Sequence, residues 1–162
     1  SNPTTAKRTF SVRANAVQTA HRKEATISEE VREFLREKGC PFPVSERGLT
    51  GLVESWEKIV QSVEAGYSLT LDDYLNDLDA RQLLEEALQV APLIEQQRFE
   101  ERIRQADDQL KGLTTRASVC LWGDELAEEE GWTPKKNWWY YACPVDADAE
   151  LLAEIAEVTG ME

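Results

Sequence analysis

Two stretches of the chain hold residue types whose spacing could do chemistry. The first is Asp72, Asp73, Asp77 and Asp79. Asp73 and Asp77 are four apart and share a helix face, so their carboxylates could hold a divalent cation. Hard cations want about six or more oxygens, however, and a di-iron bundle wants Glu-x-x-His pairs. The one histidine, His21, lies far away. Aspartates also favour helix starts, where the side chain caps a free backbone N–H. The residues therefore point to caps and solvated charges, with no metal and no cofactor. A carboxylate-based metal-dependent enzyme or metal-binding protein using Asp72–Asp79 is the alternative.

The second stretch is WGDELAEEEGWTPKKNWWYY, Trp122 to Tyr141, in which Asp124, Glu125, Glu128, Glu129 and Glu130 crowd together beside four tryptophans. Aromatic side chains give large contact area at low entropy cost, and acids around them steer a basic partner. The partner-binding residues expected here are Trp122, Asp124, Glu125, Glu128, Glu129, Trp132, Trp138 and Trp139. The competing reading puts alternate residues of Trp138–Tyr141 in the core, because successive side chains of a strand point to opposite faces.

Other chemistry finds little support. There is no P-loop, no G-x-G-x-x-G, no G-x-S-x-G and no H-E-x-x-H. Cys40, Cys120 and Cys143 form no C-x-x-C pair, and with only His21 available a Cys–His or Ser–His arrangement lacks its base. Asp146, Asp148, Glu150, Glu154 and Glu157 fall at calcium-loop spacing, but Leu151 stands where that loop needs glycine. The pattern leans away from an enzyme.

Charge narrows the partners. Net charge is -13, from 18 bases and 31 acids. Lys7, Arg8, Arg13, Arg22 and Lys23 against Glu24 put the first 25 residues at +4, and the rest, with 13 bases and 30 acids, at -17. Such a field repels phosphate, so direct nucleic-acid and membrane binding are not expected, and a basic protein surface is. Three unpaired cysteines suit a reducing cytoplasm. An organelle stroma or matrix is the alternative if residues 1–25, rich in Ser, Thr and Ala, are a transit segment.

The elements that must position these residues read mostly as helices. Ser28, followed by Glu29 and Glu30, caps a helix that Gly39 ends, and Pro41 and Pro43 prevent its continuation. A second helix spans about Thr50 to Ala65, with Trp56 as core anchor. Thr70 and Asp73 form a capping-box variant. The apolar phase shifts at Asp79: Leu71, Tyr74, Leu75 and Leu78 share one face, while Leu84, Leu88 and Ala91 lie nearly opposite. Either one helix is buried on both sides, or a short helix ends near Leu78 and a new one starts at Asp79 with Gln82 closing a second box. Two cap signals favour the split. Pro92 either kinks this helix or begins another, and the helical pattern runs on to a break at Gly112.

Ala117–Trp122 and Trp138–Cys143 have strand composition and pair as an antiparallel ribbon. Asp124–Glu130 is a short acidic helix closed by Gly131, and Asp148 caps a last helix. A short strand near Arg8–Val17 could complete the ribbon. The fold class is α+β, mainly helical, with five to six helices and a small antiparallel β-ribbon. Residues 1–27 form a basic arm and 28–162 one globular domain. The function expected is a non-catalytic acidic protein-binding module of the immunity, antitoxin, mimic or assembly-chaperone kind. A self-assembling structural protein, joined through the basic arm, is a further alternative.

Overall fold

A computed structural model describes residues 28–160. The basic arm and the strand expected near Arg8–Val17 lie outside them. Six α-helices and a two-stranded antiparallel sheet make a mainly helical α+β fold: α1 (Glu29–Glu37), α2 (Phe42–Glu64), α3 (Leu71–Val90), α4 (Leu93–Gly112), β1 (Thr114–Arg116), α5 (Asp124–Glu130), a 3-10 turn (Trp138–Tyr141), β2 (Ala142–Pro144) and α6 (Ala149–Thr159). Among the described residues no helix is long and apolar enough to cross a membrane.

Local chemistry sets the helix ends. The Ser28 hydroxyl accepts from the Val31 N–H at 3.2 Å, and Glu29 and Glu30 face the positive end of α1. Thr70 and Asp73 complete a reciprocal box at the start of α3. Pro41 and Pro43 do stop α1, but they also open α2, because a proline in the first turn has no N–H to leave unsatisfied. Phe42–Glu64 is thus two helical runs separated at Gly48, whose φ +54° and ψ -140° are not helical: the longer run starts just after it, beside the expected Thr50, and a short run from Phe42 precedes it.

α3 is the centre of the molecule, packing against α1, α2, α6 and the 3-10 turn. It is one unbroken helix, so the expected split at Asp79 is corrected. Tyr74, Leu75 and Leu78 are buried in its first half and Arg81, Leu84 and Ala87 in its second. A helix covered on several sides needs no single apolar stripe, and a change of phase is then a change of neighbour. Asp79 accepts from two distant residues, and Gln82 accepts from Asn137 through Oε1 and donates to Glu86 through Nε2, so neither serves a helix start. Pro92 stands just before α4 as its N-cap residue, so two helices meet at an elbow.

The ribbon is also corrected. Its ladder pairs Thr114 with Pro144, Thr115 with Cys143 and Arg116 with Ala142. Ala117–Trp122 is turn and bend, and Trp138–Tyr141 winds into the 3-10 turn. The two segments still lie side by side, because Tyr141 and Tyr140 carbonyls accept from the Ala117 and Leu121 N–H groups, each at 2.8 Å. A strand would have turned two of the four consecutive aromatics outward. The tighter winding buries Trp139, Tyr140 and Tyr141 and leaves only Trp138 half-buried.

Candidate functional site

The acidic helix α5 is placed by its two ends. Gly123 precedes it with φ +102°, and the Asp124 carboxylate accepts from the Cys120 N–H at 3.1 Å. Gly131, in the left-handed conformation, ends it, and the Trp132 N–H then returns to the Ala127 carbonyl at 2.9 Å. Ala127 is buried and Leu126 half-buried on the inner side. Asp124, Glu125, Glu128, Glu129 and Glu130 are all exposed.

The tryptophans divide. Trp139 is 1% exposed and belongs to the core, with the Arg81 guanidinium 4.5 Å from its ring centroid. It is therefore not a surface contact. Trp122, Trp132 and Trp138 are half-buried. Trp132 stacks on Tyr140 at 4.1 Å and 24°. Of the eight residues singled out by sequence, four exposed carboxylates share α5, three tryptophans offer partial faces, and one is withdrawn.

The aspartates part company along α3. Asp72 lies exposed in the first turn, and Asp73 caps. Asp77 accepts from the Tyr67 hydroxyl at 2.5 Å. Burial and the Asp73 charge raise its pKa against the lowering effect of that bond. Asp79 accepts from the Tyr140 hydroxyl at 2.6 Å and the Trp122 indole N–H at 3.1 Å, through the same oxygen. Asp77 and Asp79 are therefore more than caps or solvated charges: they anchor the aromatic segments. Among the described residues no group of three His, Cys, Asp or Glu side chains converges as a metal site would require. Burial raises the pKa of the Cys40 and Cys120 thiols and pushes Cys143 up to about 11, which disfavours the nucleophilic thiolate at neutral pH.

Asp79 holds the aromatic segments in place, a role that sequence reasoning missed. Its aspartate character was visible, but its partners lie 43 and 61 residues away. Asp79→Ala leaves the hydroxyl of buried Tyr140 and the indole N–H of half-buried Trp122 without their acceptor. The expected loss is about 2–3 kcal/mol of stability, read by urea denaturation. Asp79→Asn, which keeps an acceptor oxygen, is expected to lose less.

Between α3 and α5 lies a depression of about 300 Å³, lined by Asp79, Gln82, Leu83, Glu86, Leu126, Glu130, Trp132 and Tyr140. Its floor is apolar and aromatic and its ionisable groups are all acidic. The ion pairs of the described residues run through α1 to α4, as in Arg32 and Arg36 with Glu46, Lys38 with Glu86, Arg102 with Glu57, and Arg104 with Glu101 and Asp108. None of these pairs includes an α5 carboxylate. A wider groove of about 610 Å³ separates α3 from α4, with both acids and bases on its walls, and Arg104 there is already paired. No family model, curated protein or solved structure matches the chain, so its own geometry carries the functional reading.

Proposed function

We propose that the protein is a non-catalytic binding module whose α5 face docks a basic protein surface. One observation carries this reading. Among the described residues, the five exposed carboxylates of α5 stand outside the ion-pair networks, and one of them, Glu130, lines a depression with an aromatic floor. Cationic side chains of a partner would find carboxylates at the rim, while their aliphatic stems would rest on Leu126 and Trp132. The overall charge of -13 would speed the approach of such a partner.

Reversing Glu125, Glu128 and Glu129 to lysine tests this, since all three are exposed and Asp124, which holds the Cys120 N–H, is left intact. Immobilised protein incubated with native lysate at about 0.05 M salt should retain a basic protein, released as salt rises and surface charges are screened. The triple variant should lose that protein at unchanged melting temperature. Equal retention by both chains, or no retained partner at low salt, overturns the reading.

A further inference from the structure

Residues 28–162 hold 13 bases among 30 acids, so a carboxylate is within easy reach of nearly any cation. Arg32, Arg36, Lys38, Arg47, Arg81, Arg102 and Arg104 each take one. Against that pattern, Lys58, Lys111, Arg116, Lys135 and Lys136 have no carboxylate within 4.0 Å among the described residues. All five are exposed. Two of them converge: Lys111 and Arg116 line one pocket of about 200 Å³, walled by Thr114, Trp138 and Tyr141. The Lys111 ammonium lies 4.7 Å from the centroid of the Trp138 ring. Lys135 and Lys136 precede Trp138 by three and two residues, so their backbones lie within about 11 Å of it.

The size of the pocket limits what enters. Whole small molecules occupy sites of about 300 Å³ or more. A space of about 200 Å³ takes a functional group, with the remainder of the ligand outside. The chemistry that fits is an oxyanion between ammonium and guanidinium, its apolar stem against an aromatic wall. Lys135 and Lys136, exposed on the loop that leads into Trp138, lie outside the lining of the pocket and add positive charge to the same loop. We infer that this face, opposite in sign to α5, receives an acidic peptide segment of a protein partner, with one Asp or Glu side chain inserted beside Trp138. The local field prevails over the net negative charge because physiological salt screens charges more than about 8 Å away. This surface takes none of the α5 carboxylates and neither Leu126 nor Trp132; of the residues singled out by sequence it uses Trp138 alone.

Acetylated hexaglutamate is the probe, with hexaglutamine and inorganic phosphate alongside. The readout is the Trp138 indole N–H resonance, assigned by its disappearance in Trp138→Phe. Hexaglutamate should shift it saturably at about 0.15 M salt, where the remainder of the acidic surface is screened, and hexaglutamine should not. Arg116→Gln with Lys111→Gln should raise the dissociation constant about tenfold or more. Lys135→Gln with Lys136→Gln, on an exposed loop that leaves folding undisturbed, should raise it severalfold. No saturable shift, or equal affinity in both double variants, overturns the inference. So does saturation of the same resonance by phosphate at lower concentration than by the peptide, which reassigns the pocket to a free small oxyanion.

Discussion

Arg81→Met is expected to destabilise the protein by about 3–5 kcal/mol, the cost of breaking a buried ion pair from one side. Arg81 is 5% exposed. Its Nε and Nη2 donate to the two oxygens of Asp107 at 3.0 and 2.9 Å, and its Nη1 donates to Glu85 at 3.1 Å. Burial opposes the charge, but the hydrogen bonds and charge of Asp107, with help from Glu85, leave the guanidinium pKa above its ordinary value. Asp107 also accepts from the indole N–H of Trp56 at 2.9 Å, and Arg81 covers the Trp139 ring. One pair thus joins α2, α3, α4 and the 3-10 turn.

Without the guanidinium, the Asp107 carboxylate, its side chain only 14% exposed, loses its counter-charge. Adding Asp107→Asn should recover more than about 1 kcal/mol, because the charge is gone while an acceptor for Trp56 remains. Chemical denaturation of the two single variants and the double variant measures this directly. A loss below about 1 kcal/mol for Arg81→Met would mean that the pair adds little beyond packing.

Alkaline unfolding starting near pH 10 is the second large effect expected. Tyr67 donates to Asp77 at 2.5 Å, Tyr74 to the Ala142 carbonyl at 2.7 Å, and Tyr140 to Asp79 at 2.6 Å. Burial raises all three pKa values well above the usual phenol range. Bonds to carboxylates add to this at Tyr67 and Tyr140, and the neighbouring Cys143 thiol adds to it at Tyr74. Burial raises Tyr141 as well, so all four tyrosines share the sign.

A pKa higher in the folded than in the unfolded chain gives stability that is fully present below the unfolded value, about 10 for tyrosine, and is lost as pH rises towards the folded one. Each such group tilts stability by about 1.4 kcal/mol per pH unit over that window. Tyr67, Tyr74 and Tyr140 together give about 4 kcal/mol per unit, enough to exhaust a typical domain stability within about two to three units. Cys143, pushed up to about 11, adds loss of the same sign from about pH 9. Tyrosinate absorbance and far-ultraviolet circular dichroism should therefore change together above pH 10, and Tyr67→Phe should flatten the slope by about one group's share. Tyrosinate appearing at pH 10 in a chain of native ellipticity would contradict the assignment.

What the sequence determined by itself is what depends on neighbours along the chain. Ser28, Thr70 with Asp73, Gly39 and Gly131 mark helix ends because capping needs only residues within a turn. The short acidic helix was legible for the same reason, as were the mainly helical composition and the exposure of its carboxylates.

Tertiary structure alone decided the rest. The phase change at Asp79 looked like two helices because an amphipathic pattern assumes one core, and α3 has neighbours on several sides. The register of the ribbon slipped towards Thr114 and Pro144 because burying three consecutive aromatics outweighed the strand preference of each. Arg81 with Asp107, and Asp79 with Tyr140, were invisible in advance, being joined through space across 26 and 61 residues. The same physics withdraws Trp139 from the surface while leaving the α5 acids on it. A carboxylate without an internal partner stays in water, and an indole with a buried cation to cover it does not.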